Sequence, residues 1–500
     1  MKKINLLVLG LFVVFSCSKE NPSETVESSS EFTESQKILS ISKVNEYIES
    51  ELKQNGDVNW MKAPSNVLWS AVIHGGEILS VGYGEKEESF STEKSSRLYN
   101  ARENVYSIIQ SVEGASKSST VISADEILNV TDVKVTSLKT IKELQQTSQI
   151  RYLDPIGYGF YLEEDTSNVQ KSSAGCSQSG ETINSGDYRI IAPNARLPWN
   201  FDLHNVEQAW GYSTGSGITV GLIDTGVSAS QNLLGSGFND GVSSGRTIQK
   251  YGTFIDSIWP WSNNIDGPND KCGHGTSMAG VMASPRNNDF MPVGVAYNCN
   301  LVSYRGTEDV LLNDYHERKG VSNALKALGN RGDVKIISMS IGYPWSIGNV
   351  KDAVRYAYGK GKMIIAAGGT STTFTNWYGV IFPASMSETV AVTGLKDNGY
   401  NRCDTCHEGS EIDFTIIMQR SGNTNRTVPA IGFNTGTQSY VGGSSVATAA
   451  TAGIAALVWA RNPNMTRNQV LDKLKRAGEF YPNRNSNFGY GNIDALKAVQ

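Results

Sequence analysis

The sequence predicts an α/β protein: a doubly wound, mostly parallel sheet with helices on both faces, preceded by a small α+β unit. Three observations carry this expectation. From about residue 198 to residue 500, short continuous apolar runs alternate with helical stretches, the pattern of parallel strands buried on both faces. Residues 37–162 show a different, mixed order of elements, and a polar Ser, Gly and Asn-rich stretch at 163–197 separates the two regions.

In the larger region the expected strands are 218–223, 301–304, 335–339, 363–367 and 389–393. Helices are expected at 277–283, 321–328, 347–358 and 446–459. In a sheet of this kind the working groups sit in loops outside the carboxyl ends of the strands. In the smaller region a helix is expected where Ile38, Ile41, Val44 and Ile48 recur at helical spacing. The run 68–73 reads as a strand ending at Gly75-Gly76, with 78–81 as its return. An alternating 133–135, a helix and a strand at 150–153 complete the unit.

The chain has 500 residues, 39% apolar and 19% charged, with a net charge of −5. This suits two folded units and argues against nucleic acid as a partner. Lys2-Lys3 precede an apolar run at 4–15 closed by Ser16-Cys17, which reads as a signal peptide over 1–17. Val14-Phe15-Ser16-Cys17 resembles a bacterial lipobox, which implies lipidation at Cys17; an ordinary signal peptide with a chance cysteine is the alternative. Either places the chain outside the cytoplasm, lipid-anchored at the cell surface or outer membrane, or released. Residues 18–36, Ser and Glu-rich, read as a disordered tether.

Three segments carry chemistry. Asp224 follows an apolar strand and precedes Thr225-Gly226, so its carboxylate is held rigidly away from water. His274 stands between Gly273 and Gly275 at the mouth of a small-residue helix, open to close approach. Ser445, after Gly442-Gly443-Ser444, opens an apolar helix whose backbone N–H groups and dipole favour a forming oxyanion. A turn-capping Asp, a structural His and an N-cap Ser are the bland readings of each segment alone. Their order, Asp then His then Ser, is that of the subtilisin triad.

On these segments the stretch 198–500 resembles the subtilase catalytic domain. The resemblance implies a serine endopeptidase in which Asp224 orients His274, His274 takes the proton of Ser445, and Ser445 forms an acyl-enzyme. It implies that Ile337 to Gly342 is the edge on which substrate backbone pairs as an added strand. Ser340, Ile341, Gly342 and Gly368 would then line the substrate site, with an aromatic rim from Gly342-Tyr343-Pro344-Trp345. Residues 37–162 resemble a subtilase propeptide more loosely, with maturation cleavage expected within 163–197. Partners are therefore protein or peptide substrates and the chain's own propeptide, and a membrane only through Cys17.

The chain departs from the family at the oxyanion. Where subtilases carry Gly-Asn, this sequence reads Gly368-Gly369-Thr370. A donor from Thr370, Ser371 or Asn376, a backbone amide near Gly369 beside Ser444 and Ser445, or a slow enzyme are the three expectations. Gly369 also motivates a rival function: a weakly active or inactive domain used for peptide binding or adhesion. Ala449 stands where the family has proline, touching no catalytic atom.

Beyond Cys17 there are Cys176, Cys272, Cys299, Cys403 and Cys406, an odd number. With cleavage after Cys176, the expected pairs are Cys403 with Cys406 and Cys272 with Cys299. Cys403-Asp404-Thr405-Cys406-His407 also spells a haem-attachment motif, set against a disulfide-closed loop. No cofactor is needed for catalysis. Arg286-Asn287-Asn288-Asp289 lies where the family's calcium site falls and offers oxygen ligands for a structural calcium, against a solvated loop. Zinc has no motif.

Overall fold

The computed structural model describes residues 37–160, 176–370 and 379–500. Cys17, the tether at 18–36, Ser371 and Asn376 lie outside the described residues.

Seven strands form the central sheet. Their order across it is Ile412–Gln419, Thr389–Lys396, Met363–Ala367, Val334–Met339, Thr219–Asp224, Asn300–Arg305 and Ile248–Gly252, and every adjacent pair is parallel. The strands are buried on both sides because their apolar runs are continuous; Thr219–Asp224 and Met363–Ala367 are buried at every position. Ile223 sits opposite Met339 on one side and Tyr304 on the other. The chain runs outward from Thr219–Asp224 on one side, then returns and continues on the other. The carboxyl end of that strand is therefore the switch point at which a site forms.

Helix Gly443–Arg461 crosses the centre of the fold. It is long and apolar enough to span a membrane, yet 94% of that apolar window is buried inside the protein. Helices His274–Ala283, Tyr315–Asn330 and Gly348–Gly359 cover the sheet. Tyr315–Asn330 starts on a capping box between Asp314 and Glu317.

The amino-terminal unit is a four-stranded antiparallel sheet, ordered Val121–Ala124, Val130–Lys134, Ile78–Tyr83 and Ile150–Asp154. Helices Ile41–Asn55, Ser65–His74, Ser96–Glu113 and Leu138–Gln146 accompany it. The run 68–73 is thus helix rather than strand. Pro64 stands at the start and buried side chains cover most faces, so the run lacks the one-sided periodicity that marks a surface helix.

This unit lies against helices Tyr315–Asn330 and Gly348–Gly359, and one apolar cluster runs through both units, from Leu79 and Leu153 to Leu325 and Val354. Polar contacts fix the register. Arg151 makes a bidentate pair with Asp352 at 2.6 and 2.8 Å, Lys319 pairs with Asp132 at 2.8 Å, and Lys326 with Asp125. The Gly348 N–H donates to Asp154 at 2.6 Å, and the Arg318 guanidinium donates to the carbonyls of Ile156 and Tyr158. Tyr343 and Trp345 do not rim the cleft. Trp345 is buried against Tyr343, Phe160 and Trp60, at ring-centroid distances of 4.4, 5.6 and 6.4 Å.

The expected linker is not one over its described part. Residues 176–197 fold onto the catalytic unit: the Glu181 N–H donates to Gln438, and Tyr188–Ile191 and Ala195–Pro198 form a hairpin. Asp187, fully buried, is clamped by Arg420, Arg426 and Tyr440.

Candidate active site

Asp224 is the last residue of its strand and is wholly buried. Its Oδ1 accepts from the Thr225 N–H at 2.8 Å and from His274 Nδ1 at 2.7 Å. His274 is the first residue of helix His274–Ala283, and Gly273 before it adopts φ of 100°. Gly275 is required by packing: a Cβ there would lie 2.3 Å from the Gly226 carbonyl and 3.1 Å from Asp224 Oδ1. The glycine lets the acidic strand end and the histidine helix meet. Burial alone would push the imidazole down. The Asp224 carboxylate and its hydrogen bond, with Asp270 and Asp309 further off, outweigh burial and hold His274 above its ordinary value.

Sequence reading missed Asp270. It is fully buried, and its two oxygens accept five hydrogen bonds: from Thr225 Oγ1, the N–H groups of Cys272, Gly273 and Thr276, and Thr276 Oγ1, at 2.6–3.0 Å. Thr225 Oγ1 in turn accepts from the Gly275 N–H at 2.9 Å. One carboxylate therefore ties the Asp224 turn to the His274 loop. Its only sequence signal is an acidic residue four positions before His274.

Ser445 lies in the first turn of helix Gly443–Arg461 and borders the same cleft as His274, a cavity of about 470 Å³. Among the described residues, the one side-chain hydrogen bond of the imidazole is that of Nδ1 to Asp224, and its bond to a nucleophile often forms only once substrate binds. Ser340 Oγ donates to the Ser445 carbonyl at 3.1 Å. Ser340, Ile341 and Gly342 line the cleft, and Gly368 does not. The Gly368 N–H donates to Val392, its carbonyl accepts from Ile381, and a Cβ there would strike Ile412.

Gly369, where the sequence expects an oxyanion donor, adopts φ of 128°, and a Cβ on it would lie 2.4 Å from His407 Nδ1. The His407 ring thus fills the space into which an asparagine side chain would project. The His407 backbone N–H donates to the Gly369 carbonyl at 3.0 Å, its ring Nδ1 donates to the Gly379 carbonyl at 2.9 Å, and burial lowers its pKa to about 4. The next residue reaches the site instead. Thr370 Oγ1 lies 3.2 Å from Ser444 Oγ, which also accepts from the Gly369 N–H at 3.2 Å.

The disulfides are Cys176–Cys272 and Cys403–Cys406, with Cys299 free. The expected Cys272–Cys299 pair is not formed. Cys299 is sealed in the main core, its thiol pushed up to about 11 by burial. Cys272 faces Cys176 instead, whose segment lies on the histidine loop; Gln178 donates to the Lys271 carbonyl at 2.7 Å. The Cys403–Cys406 bond occupies both sulfurs that a haem would need.

The loop 286–289 does not fit a calcium ion. Its single carboxylate, Asp289, already accepts from the Met291 N–H and from the Asn287 amide. No group of three or more His, Cys, Asp or Glu able to hold a metal occurs among the described residues.

The model of the subtilase family matches residues 215–491. Alkaline elastase YaB of Bacillus sp. (strain YaB) is 29% identical over 306 residues, 61% of this chain and 70% of its own. Thermitase of Thermoactinomyces vulgaris is 26% identical over 299 residues, 59% of this chain and 92% of its own. The crystal structure of MycP1 from Mycobacterium smegmatis matches at 20% identity and a TM-score of 0.48, covering 64% of this chain and 89% of that one.

Proposed function

The chain belongs to the subtilase family and is a serine endopeptidase, and from that premise we propose that Asp224, His274 and Ser445 cut peptide bonds through an acyl-enzyme. The observation that carries this reading is the 2.7 Å bond from His274 Nδ1 to buried Asp224, in a cleft that Ser445 shares. With Nδ1 holding its proton toward Asp224, Nε2 is the basic nitrogen. It takes the Ser445 proton as Oγ attacks the substrate carbonyl, then returns it to the leaving amine. The developing oxyanion receives the Ser445 N–H, one of the unpaired amides of the helix start. The Thr370 hydroxyl supplies the second donor, replacing the amide that residue 369 lacks.

Residues 37–160 act as the propeptide. Because Cys176 is bonded to Cys272, maturation cleavage falls between 160 and 176, leaving the new end fastened beside the histidine loop. The two disulfides suit an extracytoplasmic site, with Cys17 as the lipid anchor. A fluorophosphonate probe, followed by peptide mapping, should label Ser445 stoichiometrically in the matured protein. Absence of label on a folded chain would favour peptide binding over hydrolysis. Loss of the amino-terminal unit should occur in the wild type and stop in Ser445→Ala.

A further inference from the structure

Gly342 belongs to the edge on which substrate backbone is expected to pair, yet both of its backbone groups are already taken. Its N–H donates to the Val310 carbonyl at 3.0 Å, and its carbonyl accepts from the Leu312 N–H at 3.2 Å. The register is parallel, with Leu311 opposite Gly342. The segment 310–312, between strand Asn300–Arg305 and helix Tyr315–Asn330, thus lies where a third strand would be added.

This is a built element rather than a loose loop. The Leu311 N–H donates to Asp309 Oδ1 at 2.7 Å, and Thr307 Oγ1 donates to the Asp309 carbonyl at 2.8 Å. Glu317, at the helix start, accepts from the Asn313 N–H at 2.7 Å, and Arg318 Nε donates to the Leu312 carbonyl at 2.9 Å. Leu312 is fully buried, while Leu311 lines the cleft.

We infer that residues 310–312 are an intramolecular strap that occupies the Gly342 edge and restricts substrate recognition to the residues nearest the scissile bond. This inference rests on the triad reading and on Ser340 to Gly342 being the substrate edge. Along an added strand, backbone pairing recurs at alternate residues. If the residue at the cut pairs near Ser340, the residue two places before it would pair with Gly342, and the strap denies it those bonds. The enzyme is then indifferent to the backbone of the third residue before the cut. Selection rests on the apolar wall of Ile341, Leu311 and Ile381 closer to the bond.

Two measurements test the strap separately from the protease reading. Amide hydrogen exchange on the full Ser445→Ala chain, without peptide, should find the Gly342 and Leu312 N–H groups strongly protected. Rapid exchange at both would overturn the strap whether or not the wild type cuts peptides. For the matured wild type, extending acyl-side peptides from two to four residues, or N-methylating the third amide, should change kcat/KM by less than about threefold, below the effect of one backbone bond. In Leu312→Pro, which removes the N–H that occupies the Gly342 carbonyl, the same extension should raise kcat/KM about threefold or more as that carbonyl becomes available to the substrate. A tenfold dependence in the wild type would also overturn the strap. Complete absence of hydrolysis with protected amides would sink the protease reading and leave the strap supported.

Discussion

Replacing Asp270 by Asn is the perturbation that separates a positioned triad from a mere coincidence of three residues. The carboxylate accepts three bonds on Oδ1 and two on Oδ2, all from donors. An amide must turn its NH2 toward one of these groups, so at least two bonds to a charged acceptor are lost. At about 1.5–3 kcal/mol per bond to a charged group, the loss is about 3–6 kcal/mol, a large share of a stability of about 5–15 kcal/mol. A second effect concerns the base. Asp270 contributes to holding His274 up, so removing its charge should lower the imidazole pKa. The general base must be neutral, and the acid limb of kcat/KM should therefore move to lower pH in Asp270→Asn. The assays are denaturant unfolding and the pH profile of peptide hydrolysis. A loss below about 1 kcal/mol with an unmoved acid limb would refute the claim that Asp270 joins the Asp224 turn to the His274 loop.

Thr370→Val should lower kcat by about a hundred- to a thousandfold with KM little changed, and Thr370→Ser should restore most of it. Gly369→Asn should not rescue Thr370→Val, because His407 fills the needed space; steady-state kinetics read both. Cys176→Ser opens a bond between residues 96 apart and should cost about 2–5 kcal/mol in denaturant unfolding. Burial raises Asp154 to about 7 despite the Gly348 N–H, with Asp57 adding to the rise and Arg318 and Lys351 opposing it. A folded-state pKa above the unfolded value means that the folded chain holds the extra proton. Stability from this group is full below pH 4 and is lost as pH rises toward 7. Asp154→Asn should flatten that slope in pH-dependent unfolding of the full Ser445→Ala chain, and an unchanged slope would exclude Asp154 as its source.

Much of the catalytic unit was legible because parallel strands write themselves as uninterrupted apolar runs. Strand Met363–Ala367 has the limits expected for it, and Thr219–Asp224 ends on the acidic residue that the sequence singled out. Helix Ser65–His74 was not legible: a short run buried on most faces has no periodicity to separate it from a strand. The strands Ile248–Gly252 and Ile412–Gln419 escaped notice as well, the first because it is a half-exposed edge with polar members.

Within the site, local motifs singled out the three proposed triad residues, since each has glycines or a helix start beside it. Long-range partners left little trace. Nothing around Cys176 in the sequence shows that it meets Cys272 rather than leaving with the proposed propeptide. His407 looked like part of a haem motif, whereas its ring takes the volume that Gly369 vacates. The strap was invisible for the same reason: its bonds to Gly342 are backbone to backbone, and backbone groups carry no residue code.

The most direct test of the account is peptide hydrolysis by the matured protein and by Ser445→Ala at equal concentration and verified fold. The triad reading predicts measurable wild-type turnover and a fall of about a millionfold in kcat for the variant. Equal rates in the two proteins, or no hydrolysis by a folded and matured wild type, would contradict it.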